Sequence, residues 1–201
     1  MNKIKSVCIF CGSSSGSEAI YTQKARQLAL LLAGKKITLV YGGSNVGLMR
    51  VIADVMMSAG GKVIGVMPHS LISREVAYYG ISEFHEVDTM AERKALMDEL
   101  SDAFIAMPGG IGTLDELFEV MSWNQLELID KPVALFNVAG YYDHLMQFLR
   151  HSVNQRFVKS EHFQNLICES DENLLLDKIA SYQAVKVEGG KWIRELKENT
   201  F

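Results

Sequence analysis

Seven short apolar runs, separated by longer stretches of helical period, constrain this chain more than any other feature. The runs are Ser6–Phe10, Ile37–Tyr41, Val63–Met67, Phe84–Val87, Ala103–Met107, Val133–Phe136 and Leu166–Cys168. Several are near-continuously apolar and rich in β-branched residues, as strands covered on both faces should be. Between them, Leu48, Val51, Ile52, Val55 and Met56 recur at i, i+3, i+4, i+7 and i+8, and Leu114, Leu117, Phe118 and Met121 keep a similar period. Repeated strand–helix units predict an α/β chain: a Rossmann-like, doubly wound parallel sheet of seven strands with helices on both faces. The 201 residues carry no Pro/Gly/Ser linker and no internal repeat, so residues 1–201 are expected to form one domain. From Val185 to Phe201 the pattern weakens into a charged stretch containing Gly189-Gly190, read as a last helix packed outside with a frayed end.

Charge and composition remove several function classes. Twenty Lys and Arg against 24 Asp and Glu give a net charge of −4, which disfavours a nucleic-acid or acidic-membrane partner. No apolar run approaches the roughly 18 residues of a spanning helix. Three cysteines cannot build a disulfide framework, and the opening MNKIKSVCIF is too short in apolar residues for a signal-peptide core. A cytoplasmic protein is expected. Cys8 and Cys11 fall on the first strand with an odd separation, so their side chains should leave opposite faces, excluding a disulfide or shared metal. The five histidines show no ligand spacing, so neither a metal nor an organic cofactor is expected.

Half of the 16 glycines lie in three clusters: Gly12 and Gly16; Gly42, Gly43 and Gly47; Gly109, Gly110 and Gly112. Each follows an expected strand and opens an expected helix. Ligands of open α/β sheets bind at the carboxyl ends of strands, and helix N-termini favour phosphate. Three such turns converging on one crevice point to a nucleotide or sugar-phosphate; taken singly, each turn is also simply a tight connection. The first turn, Cys11-Gly-Ser-Ser-Ser-Gly16, is not the dinucleotide fingerprint, and no P-loop motif occurs.

Two residues stand out chemically. Glu116 closes Thr113-Leu-Asp-Glu116, directly after Pro108-Gly-Gly-Ile-Gly112. The spacing fits a capping box with Thr113 as N-cap, and it equally fits a carboxylate at the crevice mouth. Asp115 and Glu116 should then face something other than the phosphate, such as sugar hydroxyls or a water. Arg93 lies within the stripe marked by Met90, Met97 and Leu100, so its charge needs a partner: an internal salt bridge, a snorkelled position, a phosphate or a catalytic carboxylate. Lys94 is expected to be solvated.

Pro108-Gly-Gly-Ile-Gly-Thr-Leu-Asp-Glu116 resembles the PGGxGTxxE signature of the LOG (Lonely Guy) family. Met90-Ala-Glu-Arg-Lys94 is similar to its upstream M-x-x-R-K element, and Tyr41-Gly-Gly-Ser-Asn-Val-Gly-Leu-Met49 to its glycine-rich second turn. Cys11-Gly-Ser-Ser14, Val66-Met67-Pro68, Trp123-Asn-Gln-Leu126 and Lys131-Pro132-Val133 follow in order. The resemblance spans roughly Lys5 to Ala184. Ser44 stands where a third glycine is usual, Arg50 where a glycine is common, and Ser122 where threonine is more usual.

The resemblance implies a Rossmann-like fold and a phosphoribohydrolase that splits the N-glycosidic bond of cytokinin riboside 5′-monophosphates or AMP, releasing base and ribose 5-phosphate. It implies catalytic roles for Arg93 and Glu116. Substrate contacts are implied for Glu75, Lys94, Gly109, Gly110, Ile111, Gly112, Thr113, Leu114, Asp115 and Ser122, and a homodimer or larger homo-oligomer with sites near the subunit interface. Two other readings stand beside it: a non-catalytic nucleotide or cofactor carrier on the same fold, and a pyridoxal-phosphate-dependent lysine decarboxylase, the label many of these proteins long carried.

Overall fold

A computed structural model of the chain describes residues 4–72 and 77–186. Each expected apolar run is a strand: β1 (Ser6–Phe10), β2 (Thr38–Tyr41), β3 (Val63–Pro68), β4 (Glu83–Val87), β5 (Ala103–Ala106), β6 (Val133–Phe136) and β7 (Leu166–Glu169). The helices are α1 (Ala19–Gly34), α2 (Gly47–Ser58), α3 (His69–Ile72), α4 (Met90–Glu99), α5 (Ile111–Gln125), α6 (Asp143–Asn154), α7 (Ser160–Gln164) and α8 (Glu172–Ala180), with a 3₁₀ turn at Val138–Gly140. The strands form one sheet in the order β4-β3-β2-β1-β5-β6-β7, with every pairing parallel. The winding reverses between β1 and β5, so the carboxyl ends of those two strands are where this fold leaves a crevice.

Strand side chains alternate between two cores, as the period of 2 requires. Val7, Ile9, Leu39, Tyr41, Ile105 and Phe136 pack with Leu28 and Leu32 of α1, Ile52 and Met56 of α2, and Leu175 and Ile179 of α8. Cys8, Phe10, Val40, Phe104 and Leu135 pack with Met97 of α4, Leu117 and Val120 of α5, and Leu149 of α6. Cys8 and Cys11 thus belong to opposite cores, and both are free thiols. Lys24 of α1 pairs with Glu172 of α8 at 2.7 Å.

Among the described residues no helix is long and apolar enough to cross a membrane. The helix expected over 185–201 lies outside the described residues, apart from Val185 and Lys186. Val185 exchanges two hydrogen bonds with the side chain of Asn165, at 2.8 and 3.0 Å.

Candidate functional site

The three glycine turns meet through one residue. The Gly12 amide donates to the Pro108 carbonyl at 3.0 Å, and the Gly12 carbonyl accepts from the Leu48 amide at 3.0 Å. The loop after β1 is thereby tied both to the loop after β5 and to the start of α2. Gly109 allows the approach: a Cβ there would overlap Thr113 Oγ1 and crowd the Gly12 amide. Gly47, with φ 56°, turns the chain into α2 against the backbone of Ser13, where a side chain would find no room.

Two tyrosines hold the loop after β5 from its far side. The Tyr142 hydroxyl donates to the Met107 carbonyl and the Tyr141 hydroxyl to the Gly109 carbonyl, each at 2.6 Å. Sequence reasoning missed both. Their only signal was their place directly after Gly140, in the connection leaving β6.

The expected capping box at Thr113 is not formed. Gly110 is the N-cap of α5 and makes no side-chain cap bond; Thr113 lies inside the first turn, buried. Helix bonding begins with the Leu114 amide on the Gly110 carbonyl at 3.1 Å, so the amides of Ile111, Gly112 and Thr113 precede it. Gly110, Ile111 and Gly112 are exposed, with Ile111 at 82%. An open helix N-terminus of this kind favours an anion. The capping box lies instead on α4, between Thr89 and Glu92.

That box sets the start of the helix carrying Arg93 and Lys94. Arg93 Nε donates to the Val66 carbonyl at 3.1 Å, and Nη2 stands 3.4 Å from Glu116 Oε1. Both side chains are only 12% exposed. Burial pushes the Glu116 carboxyl above its ordinary value, while Arg93 and then Lys94 pull it back without cancelling the rise. Lys94 is not the solvated lysine expected. It lies 2.8 Å from Asp115 and 2.9 Å from Glu119, largely covered. Burial alone would lower its ammonium, but the two carboxylates outweigh that and raise it. Asp115 and Glu116 thus both turn towards α4, away from the anion-favouring amides.

The structure brings together Arg93, Lys94, Gly109, Gly110, Ile111, Gly112, Thr113, Leu114, Asp115 and Glu116. It does not bring Ser122 to them within one chain. Ser122 is exposed and lines a separate hollow of about 190 Å³ with Phe118, Met121 and Gln125 of α5, facing α6 and α7. Glu116 and Glu119 occupy another face of α5, the one turned to Lys94. Glu75 lies outside the described residues. Among the described residues no three His, Cys, Asp or Glu side chains are grouped to hold a metal ion.

Comparison with known proteins bears on the family and the fold. A family model described as "possible lysine decarboxylase" matches residues 49–179. The chain is 43% identical over 184 residues to the probable cytokinin riboside 5′-monophosphate phosphoribohydrolase LOGL9 of Oryza sativa subsp. japonica, covering 92% of this chain and 81% of that one. It is 41% identical over 184 residues to the Arabidopsis thaliana cytokinin riboside 5′-monophosphate phosphoribohydrolase LOG5, with the same coverage. Among solved structures, the molybdenum cofactor binding protein of Rippkaea orientalis superposes with a TM-score of 0.67 at 24% identity, over 90% of this chain and 98% of that one. The molybdenum cofactor carrier protein of Chlamydomonas reinhardtii superposes with 0.67 at 15%, over 90% of this chain and 100% of that one. At those identities the likeness is one of fold. The matched sequence, together with the glycine loop, open helix start and paired Arg93 and Glu116, makes this chain a member of the LOG (Lonely Guy) family.

Proposed function

We propose that the chain hydrolyses the N-glycosidic bond of adenine-type nucleoside 5′-monophosphates, AMP or cytokinin riboside 5′-monophosphate. Water adds its oxygen to the anomeric carbon, the bond from that carbon to the base nitrogen breaks, and the base leaves carrying a proton. The products are free base and ribose 5-phosphate. The 5′-phosphate rests on the amides of the Gly110–Thr113 turn, where the helix N-terminus favours negative charge. The bond breaks with positive charge growing on the ribose ring, and the Glu116 carboxylate faces that charge or positions the water. Arg93 holds Glu116 ionised and aimed.

The observation that carries this reading is the Arg93–Glu116 pair, largely removed from water yet beside an exposed helix start. Simple phosphate binding needs neither group, which weighs against a carrier role. A Schiff-base role for Lys94 has the wrong electrostatics, because its two carboxylates keep it protonated. A cytoplasmic setting and a homodimer or larger homo-oligomer belong to the same proposal. The apolar hollow between α5, α6 and α7 is the face offered for self-association, and pairing there is the route by which Ser122 would meet substrate.

The test is to incubate the pure chain with AMP, a cytokinin riboside 5′-monophosphate, adenosine and ATP, and to separate the products. Free base and ribose 5-phosphate from a monophosphate, with little from adenosine, is the expected result. Equal turnover of adenosine and AMP would overturn the phosphate cradle. Carbon dioxide released from lysine on adding pyridoxal phosphate would restore the decarboxylase reading.

A further inference from the structure

We propose that Gly42 is a positioning residue for Arg93: the side chain it lacks is the space the Arg93 guanidinium occupies on its way to Glu116. The inference rests on the hydrolase reading above. Gly42 follows β2 directly, at the carboxyl edge of the sheet. A Cβ placed on it would overlap Arg93 Nη2, and would stand 3.4 Å from Cζ and 3.5 Å from Met49 Sδ. Its backbone does not demand glycine. Gly43 next to it has φ 77°, whereas Gly42 is not among the positive-φ glycines. Gly43 also abuts Phe84 and the Val66 amide, so it serves the packing of β2 against β3 and β4. The requirement for glycine at 42 comes from one side chain on a distant helix.

That side chain has little freedom to step aside. Nε holds the Val66 carbonyl at 3.1 Å, Nη2 faces Glu116 at 3.4 Å, and Nη1 touches Met90 Sδ at 3.9 Å. The fork is planar and rigid, so displacing Nη2 rotates Nε off its carbonyl or carries Nη2 away from Glu116. A methyl at 42 is met by the far end of a flexible chain, so the fold absorbs it. The cost falls on the geometry of the pair.

The experiment is a double-mutant cycle of Gly42→Ala and Arg93→Lys, with Gly34→Ala as control; a Cβ on Gly34 meets nothing within 4 Å. Lysine lacks the guanidinium fork and vacates the space beside residue 42. Gly42→Ala alone should lower kcat for AMP about tenfold to a hundredfold, the scale of an ångström-sized misplacement. It should leave KM little changed and move the acidic limb of the pH–rate profile upward, because Glu116 loses its aligned cation. In the Arg93→Lys background the same methyl should change the residual kcat by less than about twofold, the signature of coupled residues. Melting temperatures carry the cycle independently of turnover: a small drop from Gly42→Ala should vanish when Arg93 is lysine. Equal effects of Gly42→Ala in both backgrounds, or wild-type rate and pH profile in Gly42→Ala, would overturn the proposal. If no nucleotide is hydrolysed by the wild-type chain, the functional reading fails, while the thermal cycle still decides the positioning.

Discussion

At the scale of single residues, Glu116 is set by two opposed effects. Burial penalises its charge; Arg93 and Lys94 favour it; burial wins, so the carboxyl lies above the ordinary value of 4.5. Glu116→Gln keeps the shape and removes a desolvated charge. The variant should fold, still bind AMP, and hydrolyse it about 10²–10³-fold more slowly. Wild-type turnover would remove Glu116 from the mechanism. The sign with pH follows from the same shift. A reaction that needs the carboxylate is fully active above the raised value and fades as pH falls through it, so the acidic limb should sit above 4.5. Stability runs the other way. The folded state holds this proton more tightly than the unfolded chain, so the contribution from Glu116 declines as pH rises through that window. Glu116→Gln should flatten that decline in a series of melts. Arg93 was legible as a charge in an apolar stripe that needed a partner, but which partner was not. Lys94 was misjudged because its two acids lie on another helix, beyond the reach of any local pattern.

At the scale of elements, the site is a meeting of α4, α5 and three glycine turns, and each has its own anchor. Thr89 caps α4: its hydroxyl accepts from the Glu92 amide at 3.1 Å, and Glu92 answers to the Thr89 amide at 3.3 Å. Thr89→Ala should cost about 1 kcal/mol of stability, read by denaturant melts, with a modest loss of activity as the first turn beneath Arg93 frays. The loop after β5 is held by its two tyrosines. Tyr142→Phe leaves the buried Met107 carbonyl without its donor and should cost roughly 1–3 kcal/mol. Tyr141 is more exposed, so Tyr141→Phe should spare the melting temperature and weaken AMP binding, since it frees the Gly109 carbonyl beside the phosphate turn. The motif residues Asn124 and Lys131 turn out to be scaffolding. The Asn124 amide bonds both the carbonyl and the amide of Lys131, at 2.7 and 3.2 Å, and Lys131 Nζ reaches Asp98 Oδ1 at 2.7 Å. A motif match alone does not tell such a brace from a ligand contact.

At the scale of the molecule, helices cover both faces of the sheet, yet large apolar side chains stay exposed on several of them. Phe118, 40% exposed, lines the hollow between α5, α6 and α7; Phe148 of α6 is 61% exposed and Phe157 88%. On the proposal above, the exposed Phe118 beside an apolar hollow is the place for self-association. Light scattering at micromolar concentration should therefore give at least twice the 22.4 kDa of one chain. Phe118→Arg should shift the population towards monomer. If association also brings Ser122 to substrate, that variant loses activity on dilution faster than the parent chain.

The sequence by itself determined the class of fold, because period and strand burial are local. Near-continuous apolar runs such as Val63–Met67 have no use except between two helix layers, and helical stripes between them leave a parallel sheet as the way to cover both sides. It also picked out the turns that meet at Gly12, since glycines after strands mark where a backbone must come close to something. Tertiary structure alone decided what the charged residues do. Thr113 and Glu116 have the spacing of a cap, but Gly110 already ends the approach to α5, so the hydroxyl turns inward to Gly109 and the carboxylate turns to Arg93. The space for that arginine is left by Gly42, just past the end of β2 and far from α4 along the chain. Local spacing reports which face of an element a residue occupies; the partner across that face, and hence the protonation and aim of the carboxylate, follows only from how α4 and α5 pack over the ends of the sheet.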